Sequence, residues 1–523
     1  MSDKVLRLTK GDELTWNNHD PSGDDRRWRM TQFAKLPLEF HRPIAKQYNY
    51  RFRKTGRTQA NTFLRRFVSK FDVRTQRLAT DPIYLEQYVK NRKRELTIIA
   101  SNSPTDQDAY SRLSRSMERL GITAPAIAGS ITVVGANRRM LDEGWLARQF
   151  RKEYLAKFEA TAIQAGMVHA RAGLYVSDAS LSAFQDRQAH NRQVLERIEL
   201  ENEIGQTFDL SDLVARSVAN PTNRRHELMV RLYGFDEIAK QLDHTGLFIT
   251  ITCPSRMHAR YKKSGEPVPN FDGTTPRQAQ AYLNDIWVNA RARFKNTNTH
   301  IYGFRMAEPQ HDGTPHWHIL VYSSQADQDY ICSTFQELSL RDSPDEKGAK
   351  KRRCKIEIID RSKGSGVAYA AKYISKNIDG EHVDKDLHGK NAKDSARRVI
   401  AWASIHRIRQ FQQFGGPSVT CWRELRRLTD APDGILDQAR SAADQGDWMT
   451  FTNVLGGTDI CRKYHPVKLI REFNSTQGKY GDPIGYQVTG ISDGATCIQT
   501  RMHTWKQKLK NKSLRVLDGV RHM

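Results

Sequence analysis

Two patterns of apolar and polar positions divide the chain. From Trp145 to Glu203 apolar residues recur at helical spacing, as in Leu146, Phe150, Tyr154, Leu155 and Phe158. Turn signals are few before Asn220-Pro221, so residues 1–235 read as a mostly helical N-terminal region. The period then drops to two. Gly246-Leu-Phe-Ile-Thr-Ile-Thr252 alternates and is rich in β-branched residues, which predicts a strand. Ile301–Ala307 and His316–Tyr322 read as two more strands, joined across an Asp312-Gly313 turn, and Arg353–Ile359 as a fourth. Helices are expected at Pro276–Lys295 and Gln325–Leu340, and again after the loop Lys363-Gly-Ser-Gly366, running to about Asn377. Ser343–Lys351 is a charged loop.

The order β-α-β-β-α-β-α predicts an α+β domain over 236–415. The short second connection makes an antiparallel hairpin, and the helical crossovers put helices on one sheet face. The other face is expected to stay open as a working surface. Gly415-Gly416-Pro417 marks a boundary, leaving 416–523 as a basic C-terminal region of unassigned role. A helix is expected at Trp422–Leu428, and the lysine-rich end, Lys506–Lys512, reads as an electrostatic tail. No internal repeat or long low-complexity tract is visible.

Composition narrows the partners. At 523 residues the chain exceeds one ordinary domain, and 38% hydrophobic content suffices for real cores. The mean hydropathy of −0.69 and the lack of a long apolar run argue against membrane spans and a membrane partner. The first residues, Met-Ser-Asp-Lys-Val-Leu-Arg, contain no apolar core of a secretory leader. The net charge of +24 points to a polyanion, whose phosphates lysine and arginine neutralise. Clusters such as Lys90–Arg94 and Arg138-Arg139 fit a solvated helix face equally well. The six cysteines form no CxxC pair, which excludes a zinc ribbon and suggests free thiols in a reducing cytoplasm.

Candidate chemistry lies in two segments. In the third strand His316 and His318 share one face, while Trp317, Ile319 and Val321 share the other. Two such imidazoles can chelate a divalent ion, and an added carboxylate shifts the preference toward Mg2+ or Mn2+. Glu308 is the expected third ligand, with His311 and Gln310 as rivals because the hairpin register is not fixed by sequence. In the helix after Gly366, Tyr369 and Tyr373 are spaced i,i+4, with Cβ atoms roughly 6 Å apart. Lys372 lies beside Tyr369 and Lys376 one turn beyond Tyr373. Buried core aromatics have the same spacing; the upstream histidines favour chemistry. A phenol, with pKa about 10, must shed its proton as it attacks, and nearby lysine charge favours the phenolate. Attack on a DNA phosphate would leave a 5′-phosphotyrosine and a free 3′-OH, conserving the ester for later rejoining.

At these residues the sequence resembles the HUH endonuclease superfamily, and in particular the replication gene A proteins of tailed phages. Phe248-Ile-Thr-Ile-Thr-Cys-Pro254 is similar to that family's first motif, Glu308-Pro-Gln-His-Asp-Gly-Thr-Pro-His-Trp-His318 to its metal motif, and Tyr369-Ala-Ala-Lys-Tyr-Ile-Ser-Lys376 to its tyrosine motif. The strong match covers roughly 224–415. Gln310 departs from the histidine that the resemblance leads one to expect there, which leaves Glu308 and His311 as candidates for the third ligand.

The resemblance implies a ferredoxin-like or RNA-recognition-like βαββαβ domain and a metal-dependent nuclease of the two-tyrosine rolling-circle type. Tyr369, Tyr373 and Lys376 would be catalytic. Thr250, Thr252, Lys363 and Lys372 would touch DNA. It also implies Mg2+ or Mn2+, single-stranded DNA at a replication origin, a host Rep-type helicase, and the cytoplasm of a bacterial host. The chain has no GxxxxGK[ST] segment for ATP phosphates, which agrees with a borrowed helicase. The N-terminal region could melt or recognise duplex origin, or dock the replisome. Rival readings are a single-tyrosine transposase or relaxase, a non-catalytic binder of RNA-recognition type, and a virion or packaging protein.

Overall fold

The computed structural model describes residues 23–362, 364–380 and 391–510. The chain forms two compact units assembled from separated stretches. Unit 1 comprises Met1–Ala183, Ala239–Gly415 and Glu472–Gln487, and unit 2 Phe184–Ile238, Gly416–Arg471 and Val488–Met523. Helices before residue 183 therefore share a unit with the sheet, where the change of hydrophobic period suggested a boundary near 235.

In unit 1 the upstream part is helical, and its helix starts are encoded locally. Asp72, Asp81, Thr105, Thr132 and Asp142 each cap a helix by accepting a backbone N–H. Leu85, Val89, Leu113, Met117, Leu146 and Phe150 form one apolar core there. The helix Glu143–Ala165 ends at Gly166, whose φ of 77° is the left-handed cap that glycine adopts at least cost. The helical run expected from Trp145 to Glu203 is thus interrupted. It resumes at Asp178–Glu196 and gives way to a strand, Ile198–Asn202.

The sheet of unit 1 contains β1 (Thr245–Thr252), β2 (Tyr302–Pro309), β3 (Pro315–Ser323), β4 (Cys354–Ile358) and β5 (Phe411–Phe414). Helix α1 (Pro276–Asn296) joins β1 to β2, and α2 (Gln328–Ser339) lies between β3 and β4. Then come α3 (Gly366–Ile378) and α4 (Ala392–His406). The strand order is β4-β1-β3-β2-β5, every pair antiparallel. β3 sits between β1 and β2, and β1 between β3 and β4, so two split βαβ units interleave.

One sheet face buries Leu247, Ile249, Ile251, Trp317, Ile319 and Val321 against Leu283, Ile286 and Phe294 of α1 and Ile331, Phe335 and Leu338 of α2. The opposite face is not open as expected. Helix α3 lies on it, with Tyr369 and Tyr373 packed on Phe248 of β1. Phe304, Met306, Leu320 and Tyr322 on that face are fully buried. β5, which the sequence pattern did not predict, extends the sheet through Met306↔Phe411 and Gly303↔Phe414.

In unit 2, Ile198–Asn202 pairs antiparallel with Thr207–Asp209 and with Trp505–Leu509. Lys506–Leu509 is therefore a strand rather than a tail, and Lys510 ion-pairs with Asp209 at 2.8 Å. Asn511 and Lys512, the rest of the expected tail, fall outside the described residues. The expected helix at Trp422–Leu428 occurs at Val419–Leu425. Trp422, Trp448, Phe451 and Phe235 form this unit's aromatic core. Among the described residues no helix is long and apolar enough to cross a membrane.

Candidate active site

The hairpin between β2 and β3 sets the register that the sequence left open. Gly313, at φ 85°, closes the turn, with Gln310 N–H donating to the Thr314 carbonyl at 2.7 Å. The Trp402 indole N–H donates to the Gly313 carbonyl at 2.7 Å, and Asp312 accepts from Ala259 N–H at 3.0 Å. With the tip pinned, Glu308 stands directly across from His316 and Met306 across from His318. One donor atom from each of Glu308, His316 and His318 lies within 4.8 Å of the others. His318 Nε2 and His316 Nε2 are 3.0 Å apart, and 3.4 and 3.6 Å respectively from Glu308 Oε2.

The surroundings hold these groups in place. Asn377 Nδ2 donates to Glu308 Oε1, and Lys376 Nζ lies 3.6 Å from the same oxygen. The other carboxylate oxygen, Oε2, is buried without a hydrogen-bond partner, as is His316 Nδ1. Thr250 Oγ1 shares a hydrogen bond of 3.0 Å with His318 Nδ1, which orients that ring. Burial alone would raise the Glu308 carboxyl; His318, the charge of Lys376 and His316 outweigh it and hold the group well below the usual carboxylate range. Burial and the adjacent His318 push His316 down to about 3, so this imidazole is neutral at pH 7. A buried carboxylate oxygen with no donor, beside two imidazoles, fits a divalent cation taking up their lone pairs.

Helix α3 brings Tyr373 to this cluster and packs Tyr369 on the neighbouring Phe248. Ser365 caps it, its hydroxyl accepting from Ala368 N–H at 3.3 Å. The Tyr373 ring lies 4.0 Å from the His318 ring, centroid to centroid. Phe248 is the platform beneath, 5.5 Å from Tyr373 and 5.6 Å from Tyr369. Burial, then the Glu308 and Glu357 carboxylates, push the Tyr373 phenol up to about 12.

The remaining candidates separate. His311 points away from the cluster and donates from Nε2 to the Arg260 carbonyl at 2.8 Å. Gln310 lies in the turn, where its backbone is bonded to Thr314 and Gly313. Thr252 shares the face of Thr250, but its hydroxyl donates to the Arg352 carbonyl at 3.0 Å. Lys372 is on the exposed side of α3, and Lys363 lies outside the described residues. Sequence reasoning missed Asn377. The i,i+4 spacing that joins Tyr369 to Tyr373 continues to 377 and could have found it.

Comparison with known proteins follows the same segments. The family model for the bacteriophage replication gene A protein matches residues 81–381. A replication protein of Haemophilus phage HP1 (strain HP1c1) is 38% identical over 388 residues, covering 72% of this chain and 48% of that protein. A probable replication protein of Pseudoalteromonas phage PM2 is 31% identical over 532 residues, covering 92% and 82%. A probable replication endonuclease from a prophage-like region of Salmonella typhimurium is 35% identical over 405 residues, covering 73% and 49%. The chain thus spans about half the length of the Haemophilus phage and Salmonella proteins. No solved structure matches it.

Proposed function

The chain belongs to the bacteriophage replication gene A protein family, and on that premise we propose that it initiates rolling-circle replication by nicking one DNA strand with a tyrosine. The observation that carries the reading is the placement of Tyr373, 4.0 Å from His318, beside the Glu308–His316–His318 cluster, with Tyr369 one turn earlier on the same helix. The interleaved strand order and the His-X-His pair support membership of the HUH superfamily.

In the proposed reaction a tyrosine oxygen attacks the scissile phosphorus while the bond to the 3′ oxygen breaks. The tyrosine loses its proton and the 3′ oxygen gains one, so the strand end becomes a 3′-OH primer. The 5′ phosphate stays on the protein as a phosphotyrosine ester. Glu308, His316 and His318 would hold Mg2+ or Mn2+. When bound, that ion supplies Lewis-acid polarisation of the phosphate. Lys376, one turn beyond Tyr373, lies 3.6 Å from Glu308 Oε1, where its charge would hold the carboxylate ionised for the metal. A second tyrosine on the same helix allows a second transfer, which would release and close the displaced strand. The substrate is single-stranded DNA at an origin in the cytoplasm of a bacterial host, unwound by a host helicase of the Rep type.

The test is a covalent-capture assay with a single-stranded origin oligonucleotide. Tyr369→Phe with Tyr373→Phe should eliminate the protein–DNA adduct while binding persists. An adduct formed by the double variant would overturn the assignment of the nucleophiles.

A further inference from the structure

Unit 1 contains a cleft of about 720 Å³ whose lining shares no residue with the cluster on β2 and β3. That volume suits a nucleotide-sized ligand. The helix Leu38–Thr55 contributes Arg42 and Lys46, both exposed and one turn apart. The segment after Gly166 contributes His169 and Arg171, and a turn closed by Tyr261 N–H to the Glu266 carbonyl at 2.9 Å brings Arg260.

Arg260 is the informative residue. It is only 6% exposed, Nε has no hydrogen-bond partner, and Nη2 reaches only the Gln164 carbonyl at 3.4 Å. No carboxylate forms an ion pair with it among the described residues. Buried arginines are ordinarily paired, because desolvating the guanidinium is costly. Burial and the neighbouring Arg51 push it down to about 10 against the opposing charge of Asp312, which is itself held by His258 and the Ala259 N–H, and it stays charged at neutral pH. The guanidinium lies so close to the Gly166 backbone that a Cβ at 166 would run into it. Two acidic residues of the lining are engaged elsewhere, Asp178 with Arg398 and Glu39 with Gln76, while Glu266 is at the exposed rim. His169 Nδ1 accepts from Arg171 N–H at 3.1 Å, which leaves the Nε2–H as a donor.

We propose that this cleft binds a backbone phosphate of the DNA strand, held by Arg260, Arg42 and Lys46 outside the nicking centre. The proposal rests on the reading that DNA is the substrate. The link to the centre is short in bonds. The Arg260 carbonyl accepts from His311, and His311 sits in the turn between Glu308 and His316.

The test uses the full chain carrying Tyr369→Phe and Tyr373→Phe, so that binding is read without cleavage. Affinity for a fluorescein-labelled single-stranded oligonucleotide is measured across a salt series. Adding Arg42→Ala and Lys46→Ala should lower affinity about tenfold and flatten the slope of log K against log salt by about 0.7 for each phosphate no longer neutralised. Arg260→Gln should act in the same direction; because it is buried, its thermal midpoint is recorded alongside. Unchanged affinity and slope in the exposed pair would overturn the proposal. A second arm adds millimolar inorganic phosphate at constant ionic strength. Stabilisation of the parent but not of Arg260→Gln supports a phosphate site in the cleft, and equal stabilisation of both counts against it. Phosphate stabilisation with unchanged DNA affinity assigns the cleft to a free phosphate and sinks the DNA reading of it. If the parent binds no single strand at all, the nuclease reading itself falls, and the phosphate arm alone decides the cleft.

Discussion

Glu308 is 1% exposed and carries a charge, an arrangement that costs several kcal/mol unless its oxygens are satisfied. Asn377 and Lys376 take one oxygen, and the other faces two imidazoles. Glu308→Gln removes the charge while nearly keeping the shape. Mn2+ binding by calorimetry should then be lost together with cleavage, and intact Mn2+ affinity would show that the metal sits elsewhere. Asn377→Ala and Thr250→Val leave the three ligands present but unsupported, so affinity should fall about 10–100-fold instead of vanishing. Of the two tyrosines, Tyr373 stacks nearer the cluster. Tyr373→Phe alone should therefore reduce cleavage of a single-stranded oligonucleotide more than Tyr369→Phe alone; the reverse order would mean that the helix rotates on binding DNA. The alternation of β3 and the i,i+4 spacing of α3 are enough, on sequence alone, to put these side chains on the right faces. Which of Glu308 and His311 lies beside the two histidines was not legible, because it depends on where a turn closes, and the turn is pinned by Trp402 and Ala259 from distant segments.

The tyrosine helix is positioned by its first residue. Gly366 lies so close to β3 that an added Cβ would collide with the phenol of the buried Tyr322. Gly366→Ala should cost about 1–3 kcal/mol by overpacking and lift the start of α3 off the sheet. Because the three proposed metal ligands belong to β2 and β3, Mn2+ affinity should survive while cleavage falls. Loss of both together would mean that α3 also holds the strands in register. This docking explains why the open face was misread. Thr250, His316 and His318 on it are residue types common at surfaces, but Phe248, Phe304, Met306 and Leu320 share the face and are buried, an apolar signal that the strand reading passed over. β5 was missed for a different reason. Phe411-Gln-Gln-Phe414 is four residues long, too short for a period of two to show. The strands that were legible, β1 and β3, are longer and carry one continuous apolar face.

At the scale of the whole molecule, the five-stranded sheet does not stand alone. Leu174 and Tyr175 belong to its core cluster, though they lie well upstream of β1. Arg407 ion-pairs with Glu153 at 2.5 Å, and Arg398 donates to the Val176 carbonyl at 3.1 Å. A boundary near 235 read well in sequence because the hydrophobic period changes there, but packing between residues so far apart leaves no periodic trace. A fragment of residues 236–415 would expose the surface that Leu174 and Tyr175 cover. Losing two such buried side chains costs about 3–6 kcal/mol, a large share of the stability of an ordinary domain. The fragment should therefore unfold at a clearly lower urea concentration than unit 1 in the full chain, and restoring residues 143–183 in the same polypeptide should recover most of the difference. A fragment as stable as the parent unit would show that the upstream helices only rest on the sheet. In that case their contribution to replication would have to lie in what they bind, and the cleft around Arg260 would become their main known feature.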